Sequence, residues 1–238
     1  MSPDKDLHRE HHHRNVQGGA ARAAVFGVSD GLVSNVSLIL GMAGADAGQG
    51  LVRVAGLAGL VAGAVSMAAG EYVSMAAQRE LLEHELELER RELQNNPQKE
   101  IDELAKIYED RGIAGPAAVE MAEGVMADPD RALEVHAREE LGVDPAQLGN
   151  PIEAALSSFV AFAAGAALPL LPWFFGGGTQ AVITSIVLGL VGAIAVGAAI
   201  AIATGRPIRR AIQRQVLLAT GAAVLTYLIG SVVGTEVG

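Results

Sequence analysis

Two carboxylates, Asp30 and Glu71, lie inside apolar runs that are each long enough to cross a bilayer. An ionisable group within a membrane span is energetically costly, and such groups mark ion or substrate pathways. Met67 precedes Glu71 by four residues, so the two side chains share one helix face. Carboxylate and thioether ligands together suit a transition metal better than Mg²⁺ or Ca²⁺, which prefer oxygen alone. These residues predict a pathway for a divalent transition-metal cation.

Helical geometry places Asp30 and Met67 at a similar depth. Asp30 follows Arg22 by eight residues, about 12 Å along a helix that enters from that side. Met67 follows Arg53 by 14 residues on a helix of opposite direction, which leaves it about 9 Å from the same side of a roughly 30 Å core. Simpler explanations stay open: Met67 as a packing residue, Asp30 in an interhelical hydrogen bond, and Glu71 extending to the membrane interface.

A second group of carboxylates lies in the acidic middle of the chain. Glu89 and Glu92 form an i,i+3 pair, and Glu100 and Glu103 form another just after Pro97. A helical hairpin that turns at Pro97 would bring the two pairs face to face. Four carboxylates on adjoining helices can hold divalent metal. Because glutamate is abundant throughout this segment, an ordinary solvated face is the alternative.

The elements that must position these residues are membrane helices, each needing about 20 apolar residues to cross the hydrocarbon core. Five stretches qualify: 22–44, 54–78, 154–174, 179–204 and 213–234. The second continues without a proline into the Glu-rich segment. This predicts one helix from Val54 to Asn96, on the order of 60 Å long and ended by Pro97. The predicted fold is an all-α membrane protein with five transmembrane helices.

Charge divides the 238-residue chain into four parts: an N-terminal tail (1–21), two spans (22–78), an acidic insert (79–150) and three spans (151–238). The insert holds 19 Asp/Glu and 8 Lys/Arg, a net charge of −11, whereas the whole chain carries −10. After the long helix, proline and capping signals predict two or three further insert helices. Their expected ranges are 98–111, 116–126 and 130–141.

Basic residues predict the orientation of the spans. Four Lys/Arg precede or begin the first span and four lie between Arg206 and Arg214, whereas the connection between the third and fourth spans has none. Positive charge concentrates in cytoplasmic loops. The N-terminus and the insert are therefore predicted to be cytosolic and the C-terminus to lie outside, in the inner membrane of a bacterium or a vacuolar-type membrane of a eukaryote.

Composition argues against several other classes of function. The chain has no cysteine, which removes disulfides and thiol chemistry. It has no phosphate-binding Gly-Lys-Ser/Thr loop, no nucleophile–base arrangement and no basic nucleic-acid footprint, so neither ATP, catalysis nor nucleic acid is expected. No cleavable signal peptide and no prosthetic group are predicted. The tract His11–His13 is left outside the candidate site, because an incidental tail is at least as good an explanation as metal capture.

Two sequence motifs carry a family resemblance. FGVSDGLVS at 26–34 and SMAAGEYVS at 66–74 resemble the first- and second-span motifs of the vacuolar iron transporter family. The order of elements is similar as well: two spans, an acidic helical insert and three spans. The resemblance extends from about Val16 to Val233.

The resemblance implies a homodimer that moves Fe²⁺ out of the cytosol in exchange for protons, with Asp30 and Met67 binding metal at the dimer axis and Glu71 nearby. It also implies an insert site. The matching residues there are Glu89, Glu92, Glu100, Glu103 and Glu140, with His136 beside them.

Three positions depart from the family pattern. The family usually has Asn where Ser29 stands. Better-known members have two methionines where this chain has His136 and Ala137. Histidine can coordinate Fe²⁺ or Zn²⁺ and alanine cannot, so this corner of the site is expected to bind fewer or different metals.

The resulting hypothesis is a proton-coupled divalent-metal transporter, for Fe²⁺ first and Mn²⁺ second, with Co²⁺ and Zn²⁺ as further candidate ions. A rival from another class is a membrane-anchored metal-binding or storage protein, in which the bundle only anchors the insert. A di-iron oxidase is disfavoured, because neither His84 nor His136 has a glutamate three residues before it.

Overall fold

A computed structural model describes residues 19–145 and 148–237, and within these ranges the chain is helical without strands. The tract His11–His13 lies outside the described residues. The helices, in chain order, are α1 (Gly19–Gly44), α2 (Gln49–Asn95), α3 (Pro97–Asp110), α4 (Gly115–Met126), α5 (Pro129–Glu139), α6 (Pro151–Leu170), α7 (Pro172–Phe175), α8 (Gly178–Thr204) and α9 (Ile208–Val237).

Five of these helices, α1, α2, α6, α8 and α9, are long and apolar enough to cross a membrane. This confirms the predicted all-α architecture and the number of spans. The third span ends at Leu170 and not at 174 as predicted, because Pro172 cannot continue the helical hydrogen bonds and instead begins α7. The buried Trp173 fixes this corner by donating from Nε1 to Ser185 Oγ at 3.0 Å.

Helix α1 lies at the centre of the bundle, between α6 and α9. The backbones approach closely because small residues face each other: a Cβ at Gly31 would overlap the carbonyl oxygen of Phe162. Next to this contact, Asn35 Nδ2 donates to the carbonyl oxygen of Ala166 at 2.6 Å. The packing thus holds α1, which carries Asp30, in a fixed position against α6.

Helix α2 is continuous over 47 residues, about 70 Å at the normal helical rise, and extends well beyond one hydrocarbon thickness. This confirms the predicted long helix. Helices α3 and α5 pack against its distal part, and α4 packs against α3 and α5. Their shared core is apolar and consists of Leu104, Ala105, Tyr108, Ala118, Ala122, Val125 and Ala132.

The insert helices begin where the sequence provides start signals. Pro97 and Pro129 occupy first-turn positions of α3 and α5, where a missing N–H costs nothing. The side chain of Asp128 accepts hydrogen bonds from the backbone N–H groups of Asp130 and Arg131, which caps α5. These boundaries set the register of the polar residues on α3 and α5.

Candidate metal sites

Four side chains of the insert converge on one point: Glu89, Glu100, His136 and Glu140. Each offers one ligand atom, and these atoms all lie within 4.8 Å of one another. We call these residues the insert cluster. They come from three elements, since Glu89 is on α2, Glu100 on α3, and His136 and Glu140 at the end of α5.

The turn between α2 and α3 creates the cluster. Asn95 ends α2 and Pro97 begins α3, so the two helices fold back on each other and bring Glu89 towards Glu100. The four-residue spacing of His136 and Glu140 puts both on one face of the last turn of α5. Helix α5 packs against α2, which completes the site.

His136 is the central residue of the insert cluster. Its Nδ1 lies 2.8 Å from Glu140 Oε1, 3.2 Å from Glu89 Oε1 and 3.8 Å from Glu100 Oε2. His136 and Glu100 are completely buried, and Glu89 is nearly so. Both carboxylate oxygens of Glu100 and the Nε2 of His136 form no hydrogen bond with the described residues. Buried polar groups of this kind are costly unless a ligand or water satisfies them.

Burial and like charge shift the protonation of the cluster. Burial raises the pKa of Glu100, and the negative charges of Glu103 and Glu89 raise it further. Burial also raises the pKa of Glu140, again with help from Glu89. For His136, burial alone would lower the pKa, but hydrogen bonds to Glu89 and Glu140 raise it overall. Each shift lets its group keep a proton to a higher pH than the free side chain would, so a divalent cation competes with protons for the cluster over a wider pH range.

The other two predicted insert ligands, Glu92 and Glu103, lie outside the four-residue group. Both are roughly half exposed, and both pair with Lys99. The Lys99 Nζ lies 3.0 Å from Glu103 Oε1, 3.6 Å from Glu100 Oε1 and 3.9 Å from Glu92 Oε2. A lysine ammonium thus lies among three of the carboxylates that the sequence suggested as metal ligands.

The predicted membrane residues have different partners. Asp30 is exposed on the surface of the single chain, and its Oδ1 accepts a hydrogen bond from Ser34 Oγ at 3.1 Å. Glu71 Oε2 lies 3.4 Å from Arg22 Nη2. Met67 packs against the buried apolar cluster that includes Phe162. Met75 is a packing residue and contacts Ala23 and Ala154.

Sequence reasoning missed three contacts near these sites. Arg22 contacts Glu71, and the helical rise along α1 and α2 already places these two residues at a similar depth. Lys99 precedes Glu103 by four residues, a spacing that signals an ion pair. Ser29, one of the departures from the family pattern, accepts a hydrogen bond from Gln215 Nε2 of α9 at 2.7 Å, which no local signal could reveal.

Comparison with known proteins decides the family. The model of the VIT family matches residues 21–231, which is most of the chain and includes both span motifs and the insert. The chain belongs to the VIT family. A vacuolar iron transporter of Acanthamoeba castellanii is 38% identical over 190 residues, covering 76% of this chain and 69% of that protein.

Plant members of the VIT family match over a longer range. Vacuolar iron transporter 1 of Oryza sativa subsp. japonica is 31% identical over 221 residues, covering 91% of this chain and 88% of the relative. Vacuolar iron transporter 1 of Arabidopsis thaliana is 29% identical over 227 residues, covering 94% and 91%. With its five span-capable helices, this VIT-family chain is a multi-pass membrane protein.

Proposed function

We propose that this chain transports Fe²⁺ out of the cytosol in exchange for protons, with Mn²⁺ as the second candidate ion. The observation that supports this most directly is the insert cluster, in which both carboxylate oxygens of the buried Glu100 and the Nε2 of the buried His136 form no hydrogen bond with the described residues. Carboxylate and imidazole ligands together suit a divalent first-row metal such as Fe²⁺ or Mn²⁺. The relatives are named vacuolar iron transporters, and iron is therefore the first candidate ion.

The insert cluster captures the ion and α2 connects it to the membrane. Glu89 and Glu71 lie on this same uninterrupted helix, 18 residues apart, which is about 27 Å. Met67 is one turn deeper than Glu71 on the same face. A cation released from the insert would meet carboxylates along one rigid element. Glu92, Glu103 and the membrane residues Asp30, Met67 and Glu71 remain predicted ligands on this route.

The membrane part works as a homodimer in this proposal. Asp30 and Ser34 are exposed on the outer face of the single bundle, and Asp30 brings an ionisable carboxyl group to that face. A carboxylate facing lipid is costly, so such residues face a protein interior or a water-filled cavity. A second copy packed against this face of α1 would place two Asp30 carboxylates on a shared passage. Proton coupling follows if acid on the far side protonates these carboxylates and releases the metal.

The rival is a membrane-anchored metal-binding protein, because the insert cluster would serve storage equally well. The two functions differ in what they require of Glu71. An anchor tolerates its neutralisation, whereas a transporter that passes ions along α2 does not. We favour transport because an anchor has no use for Asp30 on the exposed face of a span.

Vesicle transport tests the proposed function. The purified full chain is reconstituted into liposomes with an acidic interior, and Fe²⁺ uptake is followed with an internal metal-quenched dye. We expect uptake that depends on both protein and the pH gradient. Competition by Mn²⁺, Co²⁺ and Zn²⁺ then ranks the ions. Metal binding without uptake, under conditions where the reconstituted protein remains folded, would favour the storage function.

Metal binding to the insert cluster should weaken as the pH falls. His136 must be neutral and the carboxylates ionised to bind a cation, and the pKa values of His136, Glu100 and Glu140 all lie above their ordinary values. Affinity for Mn²⁺ should therefore begin to fall as the pH drops through the raised pKa of His136, above the ordinary value of 6.5. Calorimetric titrations at several pH values, in buffers of different ionisation enthalpy, measure the affinity and the protons released.

A matched pair of histidine variants checks the pH dependence. His136→Gln should weaken binding and remove the upper part of the pH dependence, leaving only titration of the carboxylates. His84 is exposed on α2 and lies outside the insert cluster, so His84→Gln should leave both properties unchanged. An upper pH dependence that survives in His136→Gln would show that another group controls it.

Lys99 should oppose metal binding to the insert. Its ammonium lies close to Glu92, Glu100 and Glu103 and repels a cation that approaches them. Lys99→Gln should raise Mn²⁺ affinity by roughly three- to tenfold. It should also allow a second ion to bind at the freed carboxylates. Lys99→Arg keeps the charge and should retain the original stoichiometry.

Lys106 provides the control for Lys99, because it lies on the same helix and pairs with Asp110 instead, at 2.7 Å. Lys106→Gln changes the net charge equally and should leave stoichiometry unchanged. Calorimetry and metal analysis after dialysis both report the number of ions bound. Equal effects of the two substitutions would mean that Lys99 acts only through the general charge of the insert.

A further inference from the structure

A basic pocket lies where α8 ends and α9 begins. Gly205 ends α8 in the left-handed conformation, with φ of 64°, and Pro207 precedes the first turn of α9. The pocket has a volume of about 430 Å³. Three arginines line it, Arg206, Arg210 and Arg214, and we call it the arginine pocket.

Six of the other nine arginines that the structure describes pair with a carboxylate, whereas these three form no ion pair with a carboxylate in residues 19–145 or 148–237. The paired arginines are Arg22, Arg79, Arg90, Arg91, Arg111 and Arg138. No Asp or Glu lines the arginine pocket. Its positive charge is therefore not neutralised by the part of the protein that the structure describes.

The arginine pocket concentrates positive charge on exposed side chains, between the C-terminal end of α8 and the N-terminal end of α9. Arg210 and Arg214 are four residues apart on one face of α9, a spacing at which like charges destabilise a helix. The pocket also lies at the N-terminal end of α9, where the helix dipole adds a partial positive charge. A bound anion would offset both effects.

The position of the arginine pocket identifies the kind of anion. The span-capable part of α8 ends at Thr204 and that of α9 begins at Ile208, so a membrane crossed by both helices would have the pocket at its surface. Ile200 and the buried Ala211 add apolar surface beside the guanidinium groups. Guanidinium groups bind phosphate through paired hydrogen bonds, and basic pockets between membrane helices accept lipid headgroups.

We propose that the arginine pocket binds the headgroup phosphate of an anionic phospholipid, with the acyl chains beside the apolar surface of α8 and α9. This site is independent of metal binding and of the transport function. The bound lipid would anchor the turn between α8 and α9 to one leaflet of the bilayer. Because α9 packs against α1 along its length, the bound lipid would also stabilise the helix that carries Asp30.

Thermal unfolding with added lipid tests the proposal. The full chain in detergent is titrated with phosphatidylglycerol and, separately, with phosphatidylcholine of the same acyl chains. We expect phosphatidylglycerol to raise the melting temperature more. The triple variant Arg206→Gln, Arg210→Gln, Arg214→Gln should need about tenfold or more lipid for the same rise. Native mass spectrometry should show a retained anionic lipid on the unmodified chain and none on this variant.

A second triple variant distinguishes an effect of the arginine pocket from an effect of the protein's net charge. Arg79, Arg90 and Arg138 are exposed arginines of the insert that pair with carboxylates, and replacing all three by Gln removes the same charge. With this control variant, phosphatidylglycerol should raise the melting temperature as much as it does with the unmodified chain. Equal responses of the two triple variants, or an equal response to phosphatidylcholine, would overturn the proposal. If the pocket variant does not fold, Arg210→Gln alone should give a smaller loss of the same kind.

Inorganic phosphate distinguishes a lipid site from a simple anion site. At concentrations matched in phosphate groups, it should give much less stabilisation than phosphatidylglycerol, because it lacks the acyl chains. Stabilisation by inorganic phosphate equal to that by the lipid would contradict the assignment to a phospholipid.

Discussion

Replacing Glu100 by Gln should nearly abolish metal binding by the insert while leaving the protein folded. Glu100 is completely buried and neither of its carboxylate oxygens has a hydrogen-bond partner among the described residues. The amide keeps the shape of the side chain but removes one charge and one anionic oxygen from the site. Loss of an outer-shell partner already costs roughly 10–100-fold in metal affinity, and loss of a ligand should cost more.

Calorimetry with Mn²⁺ or Co²⁺ on the purified full chain measures this effect. Glu120 is an exposed glutamate on α4 outside the insert cluster, so Glu120→Gln is the matched control and should bind metal normally. Normal affinity in Glu100→Gln would show that the insert cluster is not the binding site. A loss shared by Glu120→Gln would point to the overall charge of the insert.

The melting temperature provides a second test of Glu100→Gln, because it should stay the same or rise while the metal affinity falls. Burial and the nearby Glu103 and Glu89 raise the pKa of Glu100, so the ionised carboxylate destabilises the folded state at neutral pH. This cost is absent well below the ordinary pKa of 4.5, grows as the pH rises from there to the raised pKa, and is constant above it. The metal-free variant should therefore melt at the same or a higher temperature than the unmodified chain, with the gain absent in acid and fully present above the raised pKa. A residue that served only the fold would instead lower the melting temperature when replaced.

The spans and the long helix could be predicted from the sequence because run length and proline positions determine them locally. The five apolar runs gave five span-capable helices, and the absence of proline before Pro97 gave the continuous α2. The third span was predicted too long, since hydropathy continues through Trp173 while helical hydrogen bonding does not.

The insert site could be predicted only in part, because it depends on how three helices pack. The turn at Pro97 was visible in the sequence and explains why Glu89 and Glu100 meet. The place of His136 was known only through the family resemblance, since α5 is remote in sequence from α2. The i,i+4 spacing of Lys99 and Glu103 is visible in the sequence, whereas the proximity of Lys99 to Glu92 depends on the register of the hairpin.

For the membrane carboxylates, too, helix packing limits what the sequence can predict. The sequence placed Asp30 and Met67 at comparable depth, with Glu71 one turn nearer the side of Arg22, and depth follows from the helical rise alone. It did not determine the direction of each side chain. Glu71 lies beside Arg22, whereas Asp30 lies on the outer face of the single bundle. Which face a span buries depends on its neighbours, and for Asp30 the proposed neighbour is a second copy of the chain.

Replacing Asp30 by Asn should reduce Fe²⁺ uptake by reconstituted vesicles to the rate of protein-free vesicles. Asp30 is the carboxylate that the proposed dimer would place on the shared passage, and Asn can neither neutralise the cation nor exchange a proton for it. The hydrogen bond from Ser34 can still form with the amide oxygen, so the local structure should persist. Melting temperature and size-exclusion behaviour check that the dimer is intact.

Asp46 supplies the matched control, since it is exposed in the connection between α1 and α2 and lies outside both spans. Asp46→Asn should transport normally. Asp30→Asn should also keep normal Mn²⁺ affinity in the insert, whereas Glu100→Gln should lose affinity and retain some uptake at high metal concentration. This opposite pattern is expected only if capture and passage are separate steps. Full Fe²⁺ uptake by Asp30→Asn would contradict the proposed passage through Asp30 and would favour the metal-storage function.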